Sequence, residues 1–584
     1  MQHAIRVIGE GSIGGKATGF WKARQLIFSE EVLSKYPEFK NVVYFPRTIC
    51  IATDLYDQFI EKNKLQDLLD QCIENGDEKS YNKFKKAVMK GNFPDEVNQK
   101  FRDIWGTMSY PLAVRSSSML EDQEGTSFAG KYTTVFISNR GSDKERWKQF
   151  TDAMKTVYAS VGSPNAIEYR RKHGFLSEDE KMAVMVQRAV GREYQGYFFP
   201  LLAGVGFSQN GYCWHGEVKK EDALVRLVFG LGTRAVGRGY ARLFSPAKPT
   251  ARPEGHNAAS IDKYSQAMMD VLDLKNNSLK SINFKEVIKD GFDCYPGAER
   301  ICSLRDGKSI YVPATKFWEP DHKPVITFDS MLFRPWVGVD LPKLFSNIMK
   351  VLENGFSCPV DIEFAGELDN DKFKMNILQT RPLTQREEHN PKEMPAVKDE
   401  DVICRAVRDV PTAEVSDIEY IIYVGTNEYF SCPIKRRQTV ARIVGNLNRK
   451  LVDKRFILVG PGRWGSNNVE LGVPAVYAEL CHAKMLIEVA SGKYAPEVSF
   501  GTHFFQDLIE DNIVYMPLYP DEEGVFFNEA YLKNNSVFNQ LLTDSHDQTF
   551  NKLISVIHVP ASFNGKLAHA VLNGVTEKGL IYLK

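Results

Sequence analysis

The chain has 584 residues, of which 43% are hydrophobic, and its 74 Lys and Arg residues balance its 74 Asp and Glu residues. A single hydrophobic core stops growing near roughly 250–300 residues, so this length predicts more than one domain. Because the formal net charge is zero, the composition gives no overall field that would attract nucleic acid or an anionic membrane surface. The sequence has no apolar run of the roughly 18 residues that a membrane helix needs, and we expect a cytoplasmic protein. The nine cysteines are scattered, which argues against a metal knuckle or a disulfide framework.

The N-terminal segment is predicted to be a strand, Ala4–Ile8, followed by a glycine-rich turn and a helix, Ala17–Ser29. The turn reads GEGSIGGK at residues 9–16 and lacks the Gly at position 10 and the Ser or Thr at position 17 that a Walker A loop needs. It satisfies G-x-G-x-x-G, which is a weak signal for a dinucleotide fold. Two further interpretations are an anion site, in which turn amides and Lys16 contact phosphate oxygens, and a tight turn with a solvated lysine.

The next motif is LAVRSSS at residues 112–118, where an apolar strand delivers Arg115 into a run of hydroxyl side chains. The planar guanidinium suits bidentate contacts to phosphate, and the serines add hydrogen-bond donors without bulk. A second small-residue loop follows at Ser127–Gly130. A solvated turn is the alternative interpretation.

Residues 359–383 are predicted to form two strands around a polar turn. Strand alternation places Asp361 and Glu363 on one face, and the partner strand ends in a segment that contains Gln379 and Arg381. A carboxylate and an amide oxygen on adjacent strands can share a magnesium ion, while a nearby arginine neutralises the phosphates that the metal bridges. A solvent-facing polar ladder on a hairpin is the alternative.

The clearest compositional break is Gln385–Glu400, which is charged and contains two prolines, as linkers do. Short apolar runs, such as Tyr420–Val424 and Met485–Val489, alternate with helical patterns, such as Asp54–Cys72, on both sides of this break. This alternation predicts an α+β, multidomain protein. We expect one domain over residues 1–390, with sublobes at about 1–245 and 246–390. A separate, smaller α/β domain of unassigned function is expected over residues 391–584.

The C-terminal part contains a second G-x-G-x-x-G, at residues 460–465, after a predicted strand. Pro474 follows too soon for the long helix that a dinucleotide site requires. We interpret the turn as an anion or substrate loop, in which Arg463 binds a phosphate or carboxylate and Trp464 stacks on a ring or sugar. Packing of these two side chains inside a domain interface is the alternative.

His503 stands before a predicted helix, Phe504–Glu510, at the end of the small-residue turn Ser499–Thr502. Amides at the start of a helix stabilise an anion, so His503 is a candidate for accepting a phosphoryl group. Another role in an active site and a structural capping role are the alternatives.

Several of these motifs, in this order, resemble the nucleotide-binding domain shared by phosphoenolpyruvate synthase, pyruvate phosphate dikinase, rifampicin phosphotransferase and the glucan dikinases. The motifs that carry the resemblance are Gly14-Gly15-Lys16-Ala17, Val114-Arg115-Ser116-Ser117-Ser118 with Glu121-Asp122, Ser127-Phe128-Ala129-Gly130, Val186-Gln187, Val228–Gly232, Asp361-Ile362-Glu363 and Ile377-Leu378-Gln379-Thr380-Arg381-Pro382. The resemblance implies an ATP-grasp type fold, with ATP bound between two lobes.

The resemblance also implies a role for each matched residue. The residues that would hold phosphates are Lys16, Arg115 and Arg381. Glu363 and Gln379 would hold magnesium. Gly130 and Thr134 would belong to a loop that covers the phosphates, and Gln187 would line the adenine pocket.

The chain departs from the family pattern in three respects. Lys131-Tyr132-Thr133 stand where the family usually has two glutamines and an acid. In the dikinases and synthases, ATP phosphorylates a histidine in a threonine-serine-histidine stretch, which this sequence lacks. The about 190 residues after the predicted boundary are also fewer than the about 250 that a pyruvate-binding barrel needs.

We therefore expect an ATP- and magnesium-dependent phosphotransferase that phosphorylates a histidine on a partner or on itself, or a bound acceptor. A small molecule or a phosphohistidine-bearing protein is expected as the acceptor, and neither nucleic acid nor a membrane is expected as a partner. An ATP-sensing regulatory protein without turnover is the alternative, and an ATP-grasp ligase is a third hypothesis.

Overall fold

The computed structural model describes residues 5–122, 128–176, 180–210, 218–219, 221–237, 240–252, 255–289, 291–314, 321–335, 338–369, 372–384, 392–466, 469–490, 502–534 and 536–584. The chain divides into two compact units, an N-terminal one over Met1–Asn210 and Glu217–Thr384 and a C-terminal one over Gln385–Lys584. Both units combine helices with sheets, which confirms the predicted α+β, multidomain class. No helix among the described residues is both long and apolar enough to cross a membrane.

Four sheets of described strands form the N-terminal unit. In order across the first sheet, the strands are Arg6–Ile8, Thr48–Ile51, Met182–Arg188, Leu112–Ser118 and Thr134–Ile137. Those of the second sheet are Arg242–Phe244, Leu224–Val228, Leu202–Phe207, Val360–Asp369, Lys372–Pro382 and Val43–Tyr44. The third sheet contains Ser278–Asn283, Met268–Asp273, Tyr197–Phe199 and Arg192–Tyr194, and the fourth contains Ser309–Tyr311, Cys302–Asp306 and Lys323–Ile326.

The second sheet crosses the sublobe boundary expected near residue 245. Its strand Leu202–Phe207 pairs antiparallel with Val360–Asp369, so that Gly206 lies opposite Ile362. Residues on both sides of position 245 therefore share one hydrogen-bonded ladder. The division into sublobes stays a prediction. Along the chain, the last strand of the first sheet ends at Arg188. The antiparallel strands of the second sheet begin with Leu202–Phe207.

Helices surround these sheets, and the predicted helical pattern Asp54–Cys72 is divided between two of them. Lys64 has a left-handed backbone with a φ of 50°, which a helix of L-residues does not contain, so the chain breaks there. The helices of this unit are Gly14–Ile27, Glu30–Lys35, Phe39–Val42, Thr53–Lys62, Gln66–Asn75, Glu78–Lys90, Asp95–Trp105, Asp143–Ala159, Pro164–Lys172, Thr233–Val236, Ala258–Lys263, Lys285–Ile288, Ala298–Ile301, Asp329–Phe333 and Leu341–Phe356, with 3₁₀ turns at Ser160–Gly162 and Phe292–Cys294.

The main core of the N-terminal unit lies between the second sheet and two helices, Gly14–Ile27 and Leu341–Phe356. The second of these helices buries an apolar stripe at helical spacing, and the ring of Phe345 lies 4.6 Å from that of Phe364. Each such fully buried side chain stabilises the fold by about 1.5–3 kcal/mol. This core holds the two long strands, Val360–Asp369 and Lys372–Pro382, in place.

Two sheets form the described part of the C-terminal unit. The antiparallel sheet has the order Ala413–Ile418, Ala568–Asn573, Lys578–Leu583, Val402–Ala406 and Phe526–Phe527. The other has the order Val514–Leu518, Met485–Val489, Phe456–Pro461, Tyr420–Val424 and Ile554–His558, with its first four strands parallel and the last antiparallel. The helices are Thr426–Ser431, Ile434–Lys450, His503–Glu510, Glu529–Lys533, Phe538–Leu541, Ser545–Gln548 and Val559–Ser562, with 3₁₀ turns at Asp399–Asp401 and Tyr477–Glu479.

The predicted linker Gln385–Glu400 falls partly outside the described residues, which resume at residue 392. Its residues 392–398 have no helix or strand, as expected of a linker. The domain division at residue 390 stays a prediction.

Candidate functional site

Arg115 lies where the first and second sheets approach each other. Its Nη1 donates hydrogen bonds to Oε1 of Gln187 and to the carbonyl of Leu378, each at 3.3 Å. Its Nη2 donates to Oε1 of Gln379 at 2.6 Å and to a carboxylate oxygen of Glu363. One guanidinium therefore joins two sheets, and four of the residues that the sequence motifs singled out meet around it.

A β-bulge makes the Leu378 carbonyl available to this cluster. The register between the long strands shifts so that Glu363 lies opposite Gln379 whereas Phe364 lies opposite Ile377, which leaves Leu378 as the extra residue. Its carbonyl accepts from Arg115 and also from Nε2 of Gln187, at 3.2 Å. Bulges are common beside active sites because they redirect a strand's polar groups.

Arg381 lies directly opposite Asp361 on the same pair of strands. Its Nε lies 2.9 and 2.7 Å from the two carboxylate oxygens, and its Nη2 lies 2.7 Å from Oδ2. Nη1 is 3.6 Å from Oδ1 of Asp122. Burial by itself lowers the pKa of Arg381, but the carboxylates of Asp361 and Asp122 raise it further than burial lowers it, so the guanidinium stays charged.

Asp122 is a buried acid at the centre of the cluster. Its Oδ2 accepts a hydrogen bond of 2.5 Å from Nε2 of Gln379. Burial raises the pKa of Asp122 to about 7, although the nearby charges of Lys16 and Arg381 lower it. The sequence motifs contained this residue, but no role was assigned to it.

Lys16 reaches the cluster from the first turn of the helix Gly14–Ile27. Its Nζ lies 2.5 Å from Oε1 of Glu121 and 3.4 Å from Oγ of Ser116. The helix comes this close because Gly14 has no side chain: with a φ of 75°, a Cβ there would lie 1.7 Å from the carbonyl oxygen of Ser117. The lack of a side chain at Gly14 therefore allows the close packing that brings Lys16 to the cluster.

Three backbone amides of the glycine-rich turn donate hydrogen bonds to side chains of the protein itself. The N–H groups of Glu10 and Gly11 donate to Oδ1 of Asp54 at 3.1 and 3.0 Å, and that of Ser12 donates to Oγ1 of Thr53 at 3.1 Å. These amides are therefore not placed to bind phosphate oxygens, as one interpretation of the turn expected. The phosphate role of Lys16 stays a prediction.

The predicted covering loop is described from residue 128 onward, so Ser127 lies outside the described residues. Gly130 has a left-handed backbone with a φ of 67°, and Thr134 lies directly opposite Arg115 in the first sheet. Tyr132, one of the departures from the family pattern, donates from its hydroxyl to Oε1 of Glu180 at 2.7 Å. Burial raises the pKa of Glu180.

The cluster thus pairs each cation with a carboxylate from the same chain: Lys16 with Glu121, Arg115 with Glu363, and Arg381 with Asp361. The three cations were predicted as site residues, whereas Glu121, Asp122 and Glu180 were missed. For Glu121 and Asp122 the available signal was an acidic pair that closely follows the hydroxyl run. A buried cation needs a partner, so acids were to be expected there.

In the C-terminal unit, Trp464 is completely buried. Its amide donates to Oε1 of Glu488 at 2.8 Å, and a Cβ on Gly460 would lie 2.6 Å from its ring. The prediction that Trp464 stacks on a bound ring or sugar is therefore wrong, because protein atoms surround the indole. Arg463 is also buried, and its amide donates to the carbonyl of Leu471 at 2.7 Å.

His503 is the first residue of the helix His503–Glu510, close to its predicted position. The side chain of Thr502 caps this helix by accepting from the amide of Phe505 at 3.3 Å. The preceding residues 491–501, which include most of the predicted small-residue turn, lie outside the described residues. A phosphoryl-accepting role for His503 stays a prediction.

Comparison with known proteins yields a family match and several distant relatives. The sequence profile of the pyruvate phosphate dikinase AMP/ATP-binding domain matches residues 10–401. The phosphoenolpyruvate synthase of Aquifex aeolicus is 25% identical over 361 residues, which are 59% of this chain and 35% of the relative. The rifampicin phosphotransferase of Bacillus subtilis is 28% identical over 203 residues, 33% of this chain and 21% of the relative.

An uncharacterized phosphotransferase of Bacillus subtilis, YvkC, is 29% identical over 200 residues, 34% of this chain and 20% of that protein. The chain therefore spans only about a fifth to a third of the length of these relatives. The profile match, in contrast, extends over more than half of the chain and includes every residue of the cluster around Arg115. The chain belongs to the family of the pyruvate phosphate dikinase AMP/ATP-binding domain.

Proposed function

We propose that the protein is an ATP- and magnesium-dependent phosphotransferase whose nucleotide site is the cluster around Arg115. The observation that supports this most is the convergence of Lys16, Arg115 and Arg381 on one place, from a helix and two sheets. Phosphoryl transfer requires mainly the positioning of phosphates and the neutralisation of their charge. Family membership supports ATP as the donor.

The cations would hold the phosphates in exchange for their present carboxylate partners. Arginine donates hydrogen bonds to carboxylate and phosphate oxygens alike, so Nη2 of Arg115 can exchange the carboxylate of Glu363 for a phosphate oxygen. Lys16 can do the same as a point charge, leaving Glu121. Arg381 would hold phosphates in the same way, in exchange for Asp361.

The oxygen atoms of Glu363 and Gln379 fit a magnesium ion. Both lie within hydrogen-bond reach of the same nitrogen, Nη2 of Arg115, so a carboxylate and an amide oxygen converge on one point. Magnesium prefers such hard oxygen ligands and keeps few protein ligands beside its waters and phosphates. When bound, magnesium neutralises charge on the transferring phosphates.

The roles proposed for the remaining residues follow their places in the cluster. Thr134 lies opposite Arg115, and Gly130 belongs to the segment that leads to it, which supports contact with the phosphates. Oε1 of Gln187 accepts from Arg115 and its Nε2 donates to the Leu378 carbonyl, so this side chain belongs to the cluster. The adenine role of Gln187 stays a proposal.

The acceptor is proposed as a histidine on a partner or on this chain, or as a bound small molecule. His503 is the candidate within this chain, since it lies at a capped helix start. The relatives named phosphoenolpyruvate synthase and rifampicin phosphotransferase are far longer than the matched region, so their acceptors do not transfer directly.

Phosphorus NMR of the products formed from ATP tests the proposed function. The protein is incubated with ATP and magnesium, alone and with fractionated cell extract. AMP with phosphate indicates dikinase chemistry and ADP indicates a kinase; both support the proposal. Tight ATP binding with no turnover in any fraction would favour the ATP-sensing alternative instead.

Self-phosphorylation is tested with ATP labelled at the β or the γ phosphate. Label that stays on the protein and disappears in His503→Ala, but not in His482→Ala, would assign the acceptor to His503. Label that persists in His503→Ala would exclude it.

A further inference from the structure

The side-chain amide of Gln379 has a fixed direction. Its Oε1 accepts from Nη2 of Arg115 at 2.6 Å, and its Nε2 donates to Oδ2 of Asp122 at 2.5 Å. Gln379 is only 1% exposed, so protein groups decide which way the amide points. An amide has one end that only accepts and one that only donates, so its direction decides what it can bind.

The reversed amide would meet two unfavourable neighbours. Its nitrogen would face the guanidinium of Arg115, two donors against each other, and its oxygen would face the carboxylate of Asp122, two acceptors against each other. Arg115 is proposed to exchange its partners when phosphate binds. Asp122 would then be the group that continues to hold Gln379.

Asp122 is itself held in place. It has a left-handed backbone with a φ of 57°, which is costly for a residue other than glycine and persists where the surrounding structure requires it. Its other carboxylate oxygen lies 3.6 Å from Nη1 of Arg381. Asp122 therefore offers Gln379 an acceptor at a fixed point beside Arg381.

We propose that Asp122 is a positioning residue that keeps the carbonyl oxygen of Gln379, and not its nitrogen, turned toward the magnesium position. This inference rests on the proposed function, since it assumes that Gln379 binds the metal. Replacing a residue that orients a metal ligand through a hydrogen bond typically lowers the metal affinity about 10- to 100-fold. Asp122 would act through Gln379 without touching the metal.

The inference predicts that Asp122→Asn has opposite effects on magnesium-dependent ATP binding in two backgrounds. It should weaken binding when residue 379 is Gln and strengthen binding when residue 379 is Glu. In Asp122→Asn, the new amide can present either end, so the reversed Gln379 is tolerated and magnesium loses an oxygen ligand. In Gln379→Glu, position 379 has no nitrogen end, but its carboxylate faces that of Asp122. Adding Asp122→Asn to Gln379→Glu supplies a donor and removes this repulsion.

Isothermal titration of ATP into the purified full chain, with magnesium and with a chelator, measures the gain in affinity that the metal gives. We expect Asp122→Asn to lower this gain about 10-fold or more while the affinity without metal changes less than about threefold. We expect the double variant to bind ATP with magnesium more tightly than Gln379→Glu alone. Asp329→Asn, which removes another partly buried carboxylate paired with an arginine in the same unit, is the control and should leave the gain intact.

Two results would overturn the inference. One is an Asp122→Asn protein with the full magnesium gain. The other is a double variant that binds no better than Gln379→Glu, which is what a merely structural role of Asp122 predicts; this comparison decides the matter even if Asp122→Asn alone does not fold. A wild-type protein that binds ATP without any magnesium gain would instead contradict the proposed function, and this inference with it.

Discussion

In both turns that match G-x-G-x-x-G, a glycine allows another group to pack closely against the backbone. The two turns differ in the side chains that surround them. In the N-terminal unit, Gly14 lets a helix approach the carbonyl of Ser117, and this approach aims a lysine at a cluster of charges. In the C-terminal unit, Gly460 makes room for the ring of Trp464, which is completely buried. The same pattern supports a polar site in one unit and apolar packing in the other.

The difference lies in what the neighbouring strands contribute. Around the first turn, Arg115 and Arg381 arrive on other strands, and each has a carboxylate within reach. Beside the second, the acid Glu488 accepts from the amide of Trp464 and the hydroxyl of Tyr515. Glycine spacing alone therefore does not distinguish a ligand site from a packed turn, whereas the charges that converge on it do.

Arg381→Met should have the largest effect, because it removes a cation that pairs with Asp361 and lies close to Asp122 inside the protein. Removing one partner of a buried ion pair costs about 3–5 kcal/mol, so we expect the free energy of unfolding of the N-terminal unit to fall by about 4 kcal/mol. Urea unfolding followed by circular dichroism measures it. Adding Asp361→Asn should recover part of the loss, and a loss below about 1 kcal/mol would show that the pair is not truly buried.

Trp464→Ala tests the packed turn. Truncating a buried tryptophan leaves a cavity, and we expect the C-terminal unit to lose about 3 kcal/mol while the ATP affinity stays unchanged. Trp21→Ala, which removes a tryptophan that is 37% exposed, is the control and should cost less than about 1 kcal/mol. An ATP affinity that falls in Trp464→Ala would mean that the second turn takes part in binding after all.

Gly14→Ala tests whether close packing defines the first turn. Gly174 is a matched control, since its φ of 77° is close to the 75° of Gly14 but a Cβ there would have no neighbour within 4 Å. Both variants incur the cost of a left-handed backbone, and only Gly14→Ala adds a clash with Ser117. We expect Gly14→Ala to be less stable than Gly174→Ala by about 2 kcal/mol in urea unfolding. Equal losses would mean that the helix shifts freely away from the strand.

Glu180→Gln should have the smallest effect, visible as a change in pH dependence. Burial raises the pKa of Glu180 above its usual value, so its protonated form is favoured in the folded state. The stability that this gives is fully present below the unfolded-state pKa and is lost as the pH rises through the raised value. We expect the variant to lose less stability than the wild type as the pH rises through that range, measured by urea unfolding at several pH values. Parallel pH curves would contradict the role of burial at Glu180.

Local pattern allowed much of this architecture to be predicted. The strands Tyr420–Val424 and Met485–Val489 were predicted with their observed bounds, because short apolar runs with clear polar ends define buried strands well. Alternation correctly placed Asp361 and Glu363 on one face, opposite Arg381 and Gln379. The family was also recognised correctly from ordered motifs.

What the sequence did not reveal depends on contacts between distant segments. The pairing of Leu202–Phe207 with Val360–Asp369 has no local signal, so this ladder could not be predicted. The bulge at Leu378 occurs without the glycine or proline that often marks one. The sequence left open whether Trp464 binds a ligand or packs inside the protein, because an exposed and a packed tryptophan look the same in a turn sequence.

The most direct test of the central claim, that the cluster around Arg115 binds the phosphates of ATP, is a titration of ATP with magnesium into two arginine variants. Hydrogen bonds to charged groups contribute about 1.5–3 kcal/mol, so Arg115→Met should weaken ATP binding by about 10- to 100-fold. The control is Arg305→Met, which removes an arginine of the fourth sheet that pairs with Asp262. This variant should bind ATP as the wild type does. Equal ATP affinities in the wild type and Arg115→Met would contradict the account.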